Sequence, residues 1–345
     1  MNIKRRFPAE WEQQKGILLC FPYNGNDWPG KYQAIQWAFV EFIKKITQYE
    51  IVYLIVADNK LKDKVSDMLM TAEVNVKNVQ YIILKTNRSW MRDSGPIIVE
   101  TEKGKYEAIN FNFNGWAKYS NYQLDKNVPK TIANTLKIPM TIASYKGKPV
   151  VLEGGAIEVN GKGTLITSEE CLLHPNIQVR NEGFTKQDYE AVFKEYFGIT
   201  NVIWVKDGIQ GDDTHGHIDD LCRFVNENTI VTVVENDQND ANFKPLQENL
   251  EILKAAKLEN GKSPKIIELP MPKKLIFDGI RIPPSYANFL IINQAVLVPT
   301  FNDPNDRIAL NIIAECFPDR EIIGISAIDL IWGFGTLHCL SQQIP

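Results

Sequence analysis

Cysteine and histidine are scarce in this chain, with five cysteines and four histidines spread over 345 residues. Cys20, Cys171, Cys222, Cys316 and Cys339 form no C-x-x-C pair, and an odd, widely spaced set suits neither a disulfide framework nor a zinc ribbon. Excess charge is missing too. Lys+Arg 38 against Asp+Glu 42 leaves a net charge of −4, which gives no electrostatic reason to bind nucleic acid or an anionic membrane. No uninterrupted apolar run is long enough to cross a bilayer, and the opening MNIKRRFPAEW has no apolar stretch behind its basic residues. A soluble, cytoplasmic protein with a small-molecule ligand is therefore expected. No proline-rich or low-complexity linker divides the chain, and the polar run NDQNDAN at 236–242 reads as a surface loop.

What is present is a large apolar fraction, 44%, enough to bury a sizeable core. From Tyr32 to Ile46 the residues Ile35, Ala38, Phe39, Phe42, Ile43 and Ile46 recur at helical spacing, predicting an amphipathic helix that lies on a sheet. Further helix starts are marked by Pro129, by the capping-box pattern from Thr185 to Asp188, by Pro245 and by Asp303-Pro304. Between these starts lie short β-rich runs, TLITS, NVIWV, TIVTVV, KIIEL, FLIIN and EIIGI, so the chain reads as a repeated β-β-α-β unit. Such repetition fits a doubly wound sheet or a ring of blades, and spacing alone does not separate them.

Four segments concentrate functional residue types beside glycines or turns: NRSWMRDSGP at 87–96, LEGG at 152–155, GDDTHGHIDD at 211–220 and WGFGTLHCLSQQIP at 332–345. Each is expected at a strand end, where loops can converge on one pocket. Cys339 sits in a glycine-containing, polar-flanked turn that suits a nucleophile, whereas Cys20 in ILLCF fits an inert buried thiol. His338, next to Cys339, would point to the opposite face if the segment were extended. His217, at the start of an expected strand and close to acidic residues, is the better partner for a thiol. A metal site is the rival reading, because His215-x-His217 with Asp212, Asp213, Asp219 and Asp220 has ligand types suited to zinc or manganese, and Asp93 or Glu153 can add another. Asp93, Glu153 and Asp219 also suggest recognition of a planar cation with forked N–H donors, a guanidinium. Alternatively, Asp93 pairs with Arg88 or Arg92, and Glu153 caps a turn. Trp90 stacks on the cation or fills core volume.

The segments WMRDSGP, LEGG, GTLITSEECLL, DDTHGHID, SYANFLIIN and HCLSQQ, in this order and with PAEWEQQKGILLCFP at 8–22, resemble those of the agmatine deiminase and bacterial peptidylarginine deiminase family. The resemblance covers nearly the whole chain. It implies a single catalytic domain over 1–345 with the pentein fold, a five-bladed α/β propeller of β-β-α-β units. It further implies Cys339 as nucleophile, His217 as general acid/base, Asp93 and Asp219 as guanidinium-binding carboxylates, Glu153 as the active-site glutamate and Trp90 as a pocket wall. The implied reaction is hydrolysis of agmatine to N-carbamoylputrescine and ammonia, a step toward putrescine, through a covalent Cys339 intermediate and without a cofactor or metal. A homodimer is the family expectation. Free arginine or peptidyl-arginine is the alternative substrate, and a metal-dependent ureohydrolase the alternative from another class. Two departures sit beside catalytic positions: the family's T-D-G-H reads Thr214-His215-Gly216-His217, and its G-G-G-N-I-H-C reads Gly333-Phe334-Gly335-Thr336-Leu337-His338-Cys339.

Overall fold

The repeat legible in the sequence is a hairpin followed by a helical crossover. In the computed structural model, which describes residues 4–345, Ile97–Glu102 and Lys105–Asn110 pair antiparallel, the helix Val128–Leu136 follows, and Met140–Ile142 returns parallel to the second strand. Antiparallel neighbours need only a short turn, whereas a parallel neighbour requires a crossover, so the β-β-α-β order dictates this mixed pattern. The same order recurs in three more units. Glu158–Val159, Thr164–Ser168, helix Lys186–Phe197 and Asn201–Val205 form one. Cys222–Asn226, Thr229–Val234, helix Phe243–Ala255 and Lys265–Pro270 form the next. Leu290–Ile291, Ala295–Thr300, helix Asn305–Cys316 and Glu321–Ser326 complete the series.

A fifth sheet joins the two ends of the chain. Ser341–Ile344 pairs antiparallel with Gly16–Cys20, the helix Tyr32–Ile46 leads to the parallel strand Ile51–Val56, and Val79–Ile83 adds to its edge. The architecture is thus mixed α/β, with five sheets of three or four strands among the described residues and two additional two-stranded hairpins. No described helix is long and apolar enough to cross a membrane. Met1 to Ile3, the start of the amino-terminal stretch considered above, lie outside the described residues.

The amphipathic helix has the expected bounds, and Ile35, Phe39, Phe42, Ile43 and Ile46 are buried. Its apolar face is shifted slightly: Gln36 and Val40 are buried while Ala38 is only partly covered. Gln36 tolerates burial because its Nε2 donates to the Pro22 carbonyl and its Oε1 accepts from Lys64. The capping box is formed, with Thr185 Oγ1 accepting from the Asp188 amide and the Asp188 carboxylate accepting from the Thr185 amide. Thr185→Ala should therefore lower stability by about 1 kcal/mol. Urea melts read that loss. The run FLIIN is shorter as a strand than the sequence suggested, since regular pairing holds only at Leu290–Ile291. The residues just before it are held instead by side-chain contacts with neighbouring loops.

Candidate active site

The segment that enters the antiparallel strand of each unit supplies one part of a shared site. Asp93 lies in the short helix Met91–Ser94 ahead of Ile97–Glu102, and Glu153 precedes the turn Gly154–Ala156 ahead of Glu158–Val159. His217 and Asp219 stand at and within the turn Ile218–Asp220 ahead of Cys222–Asn226. Asn288 precedes Leu290–Ile291, and Cys339 precedes Ser341–Ile344. The repeat thus brings six side chains, three of them carboxylates, to corresponding loops of five units. Asn288 was the member without an assignment from sequence, although its position in SYANFLIIN corresponds to the others.

Cys339 is 5% exposed, its Sγ 3.0 Å from Asn288 Nδ2 and 3.5 Å from Asp219 Oδ2. Asn288 fixes the whole turn: its Oδ1 accepts from Thr336 Oγ1 at 2.7 Å, from the His338 amide at 3.1 Å and from the Cys339 amide at 3.4 Å. Burial, reinforced by the charges of Asp219, Asp220 and Asp93, pushes the Cys339 thiol well above its ordinary pKa. Cys339 is therefore a neutral thiol at pH 7. Iodoacetamide should alkylate Cys339 far more slowly at pH 7 than it alkylates an ordinary free thiol, with the rate still climbing above pH 9. Rapid alkylation at pH 7, read by mass spectrometry of the terminal peptide, would contradict this.

His217 is 1% exposed, with Nδ1 3.8 Å from Asp93 Oδ1 and Nε2 4.0 Å from Glu153 Oε2. Burial disfavours its charged form, but Asp93, Cys171 and Asp219 outweigh that effect and raise its pKa well above the ordinary value. Both ring nitrogens are buried without a hydrogen-bond partner. The close approach depends on Gly155, where a Cβ would come within 2.5 Å of His217 Nδ1 and 2.9 Å of Asp93 Oδ1.

Asp93 is engaged by Trp116 Nε1 at 2.9 Å and by the Gly155 amide at 3.2 Å, and not by either arginine suggested from sequence. Arg88 pairs with Asp27, and Arg92 donates to Gln343 and the His338 carbonyl. Burial pushes the Asp93 carboxyl up to about 6 against the pull of His217, with Asp219 and Glu153 adding to the rise. Glu153 caps no turn: both its oxygens accept from Arg180 Nε, at 3.1 and 3.3 Å, in a pair with no side-chain exposure. Arg180 in turn donates to the Thr214 carbonyl, three residues before His217. Asp219 places Oδ2 2.7 Å from His338 Nδ1 and leaves Oδ1 buried without a partner.

Trp90, Asp93 and Cys339 open onto one cavity of about 420 Å³, whose wall also includes Trp116, Asp213 and Phe334. Trp90 packs against Trp28 with ring centroids 5.3 Å apart and also lines the cavity. Gly335 permits this contact, because a Cβ there would approach Trp90 to 2.7 Å and Cys339 Sγ to 3.2 Å.

Two local arguments from sequence are corrected. His217 is followed by a 3-10 turn and not by a strand, and His215 has φ +66, so the two rings do not project as alternate residues of a strand. His215 turns to Glu170, with Nδ1 3.1 Å from its carbonyl, and its ring meets His174 edge-on. The His215-x-His217 pair is therefore not a chelating unit. Among the described residues, the clusters with metal-ligand atoms close together are Glu153–Cys171–His217 and Asp219–Asp220–Cys339, neither of which contains His215. His338 and Cys339 lie in a turn, with the Ser341 amide donating to the His338 carbonyl, and not in an extended segment. His338 is kept from the cavity because its ring is buried between Asp219 and Glu10.

The departures at 334 and 336 acquire physical content. Phe334 holds φ +69, a left-handed conformation that the family's glycine adopts without cost, and it places a bulky ring in the cavity wall. Thr336 supplies the hydroxyl that braces Asn288. Glu10, Asn288, Arg180 and Trp116 were missed as site residues. The first two lie within segments quoted for the resemblance, and the other two act as partners of Glu153 and Asp93, which spacing alone does not reveal.

Residues 6–345 match the family model described as Porphyromonas-type peptidyl-arginine deiminase. Agmatine deiminase of Pseudomonas syringae pv. tomato is 30% identical over 98% of this chain and 95% of its own length. The solved agmatine deiminase of Enterococcus faecalis superposes with a TM-score of 0.91 at 27% identity, covering 99% of this chain and 96% of that one. A cysteine-to-serine variant of C. jejuni agmatine deiminase with substrate bound gives 0.86 at 32% identity, covering 99% and 96% respectively. With the match running from residue 6 to the last residue, the chain belongs to the Porphyromonas-type peptidyl-arginine deiminase family.

Proposed function

We propose that this chain hydrolyses agmatine to N-carbamoylputrescine and ammonia, with Cys339 as nucleophile. The observation that carries this reading is a buried thiol among ionisable carboxylates beside a cavity, an arrangement that calls for a cationic electrophile. The bound guanidinium satisfies the charges of Asp93 and Asp219, and its own positive charge lowers the cost of forming the thiolate. Trp90 and Trp116 flank the planar cation. The Cys339 thiol releases its proton to solvent as the guanidinium binds, and the thiolate attacks the central guanidinium carbon to give a tetrahedral adduct. His217 donates a proton to the departing nitrogen, the C–N bond breaks and ammonia leaves. The neutral imidazole then takes a proton from water, whose oxygen attacks the amidino-thioester carbon. Collapse of that adduct breaks the C–S bond, restores the thiol and leaves the ureido product. Glu153, matched by Arg180, holds its carboxylate near His217 through both steps.

Agmatine carries a second cation, and the cavity wall contains two further acids, Asp27 and Asp213. A second reading, free arginine, draws support from Arg88 and Asn121 in the same wall, since these can meet a carboxylate. Arg88 donates to Asp27 at 2.8 Å and to Asn121 at 2.7 Å, while Asp213 accepts from Lys118 at 2.6 Å and from Tyr119 at 2.7 Å, so both kinds of tail partner are already engaged and agmatine is preferred on the likeness to agmatine deiminases. Ammonia release from agmatine, arginine and a peptidyl-arginine, assayed side by side, decides between them: agmatine should have the highest kcat/KM. A higher value for arginine would replace this reading by the second.

The five hairpin–helix–strand units with their functional residues at equivalent loops support a five-bladed α/β propeller, one catalytic domain around a central site. Because Asp93 must be ionised to bind guanidinium and its carboxyl is pushed up to about 6, kcat/KM should fall as pH drops through about 6. A profile flat from pH 7 to pH 5 would contradict the assigned role.

A further inference from the structure

Below the carboxylates that meet the cavity, a second charged cluster is buried. Glu10 Oε2 accepts from Arg223 Nη2 at 2.6 Å and lies 2.9 Å from His338 Nε2, while Glu10 Oε1 accepts from the Ile291 amide at 2.7 Å. On the other side of the ring, His338 Nδ1 is 2.7 Å from Asp219 Oδ2. Glu10 is 5% exposed, His338 1%, and Asp219 and Arg223 0%. An ionised carboxylate can only accept, so an imidazole bonded to one at each nitrogen donates from both and carries a positive charge. Arg223 is balanced in turn by Glu158 at 3.0 Å, and its Nη1 donates to the Ala287 and Phe289 carbonyls. Each of these groups thus has a partner of opposite charge, the condition under which buried charges persist, while Asp219 keeps one oxygen without a partner.

We propose that Glu10 and His338 are positioning residues for the deimination: through the chain Glu10–His338–Asp219 they keep the Asp219 carboxylate ionised and leave its unpartnered Oδ1 free for the guanidinium. The proposal rests on the reading of Asp219 as a guanidinium ligand, but half of its test needs no substrate. The charged groups that bear on this chain are Arg223 and Glu158 from adjacent strands, Arg92 from the short helix Met91–Ser94, and Asp220, His217 and Asp93 around Asp219. Burial pushes the Asp219 carboxyl up, and His338, together with His217 and Arg223, more than reverses that rise.

The experiment has two arms on the full chain. In nitrogen-15 NMR of the resting enzyme at pH 7, with the four histidines assigned by single substitution, His338 should show both ring nitrogens protonated. In Glu10→Gln it should become a neutral tautomer. In the kinetic arm, Glu10→Gln should raise KM for agmatine about tenfold with a smaller change in kcat. A neutral His338 in the wild type overturns the proposal even if Glu10→Gln fails to fold. So does a folded Glu10→Gln whose ring signature and KM match the wild type. If the wild type releases no ammonia from agmatine, the functional reading fails, and the NMR arm still decides the relay.

Discussion

Cys339→Ala should reduce ammonia release from agmatine by about 10⁴-fold or more while the protein stays folded. The size follows from what the thiol supplies. Guanidinium is resonance-stabilised, so water has little capacity to attack its carbon, and removing the nucleophile deletes the covalent route altogether. Cys339 makes few packing contacts that alanine would forfeit beyond its sulfur, and its turn is held by Asn288 through backbone amides at 338 and 339, which the substitution leaves in place. Agmatine should still bind, because Asp93, Asp219 and the tryptophans are untouched. Isothermal titration with agmatine alongside an ammonia assay separates the two effects. Residual activity near that of the wild type would remove Cys339 from the mechanism.

His217→Gln should lower kcat by about 10²–10⁴-fold with a much smaller effect on KM. The imidazole lies between Asp93 and Glu153, and Asp93, Cys171 and Asp219 hold it protonated despite its burial. Glutamine preserves polarity and approximate size but cannot move a proton to the departing ammonia or take one from water. The raised pKa also has a direction in pH: the acid form persists across neutral pH and is lost only on the alkaline side, so the wild-type rate should fall at high pH. In His217→Gln that alkaline limb should vanish. Equal loss of kcat and gain of KM would point instead to a binding role for the ring.

The periodic parts of this fold were open to reading from sequence, because local physics determines them. The helix Tyr32–Ile46 follows from its apolar spacing, and Lys186–Phe197 from a capping box that satisfies its first amides. The β-β-α-β order followed from β-rich runs between helix starts, but the choice between a doubly wound sheet and a ring did not, since it depends on contacts between units. At the site, Cys339, His217, Asp93, Glu153, Asp219 and Trp90 were named from motifs, and they gather around one cavity or directly beneath it. Their partners were less accessible. Glu10 meets His338 across 328 positions and Arg180 meets Glu153 across 27, separations for which a single sequence offers no spacing rule. The reasons assigned to His215 and His338 failed for one common cause: both were treated as parts of extended segments, whereas they lie in turns whose side-chain directions do not alternate.

The most direct test of the account is to quench wild-type enzyme with acid during agmatine turnover and analyse the terminal peptide by mass spectrometry. The account predicts an amidino adduct on Cys339, transient in the wild type and absent from Cys339→Ala. Steady ammonia production with no adduct at Cys339, and undiminished production by Cys339→Ala, would contradict it.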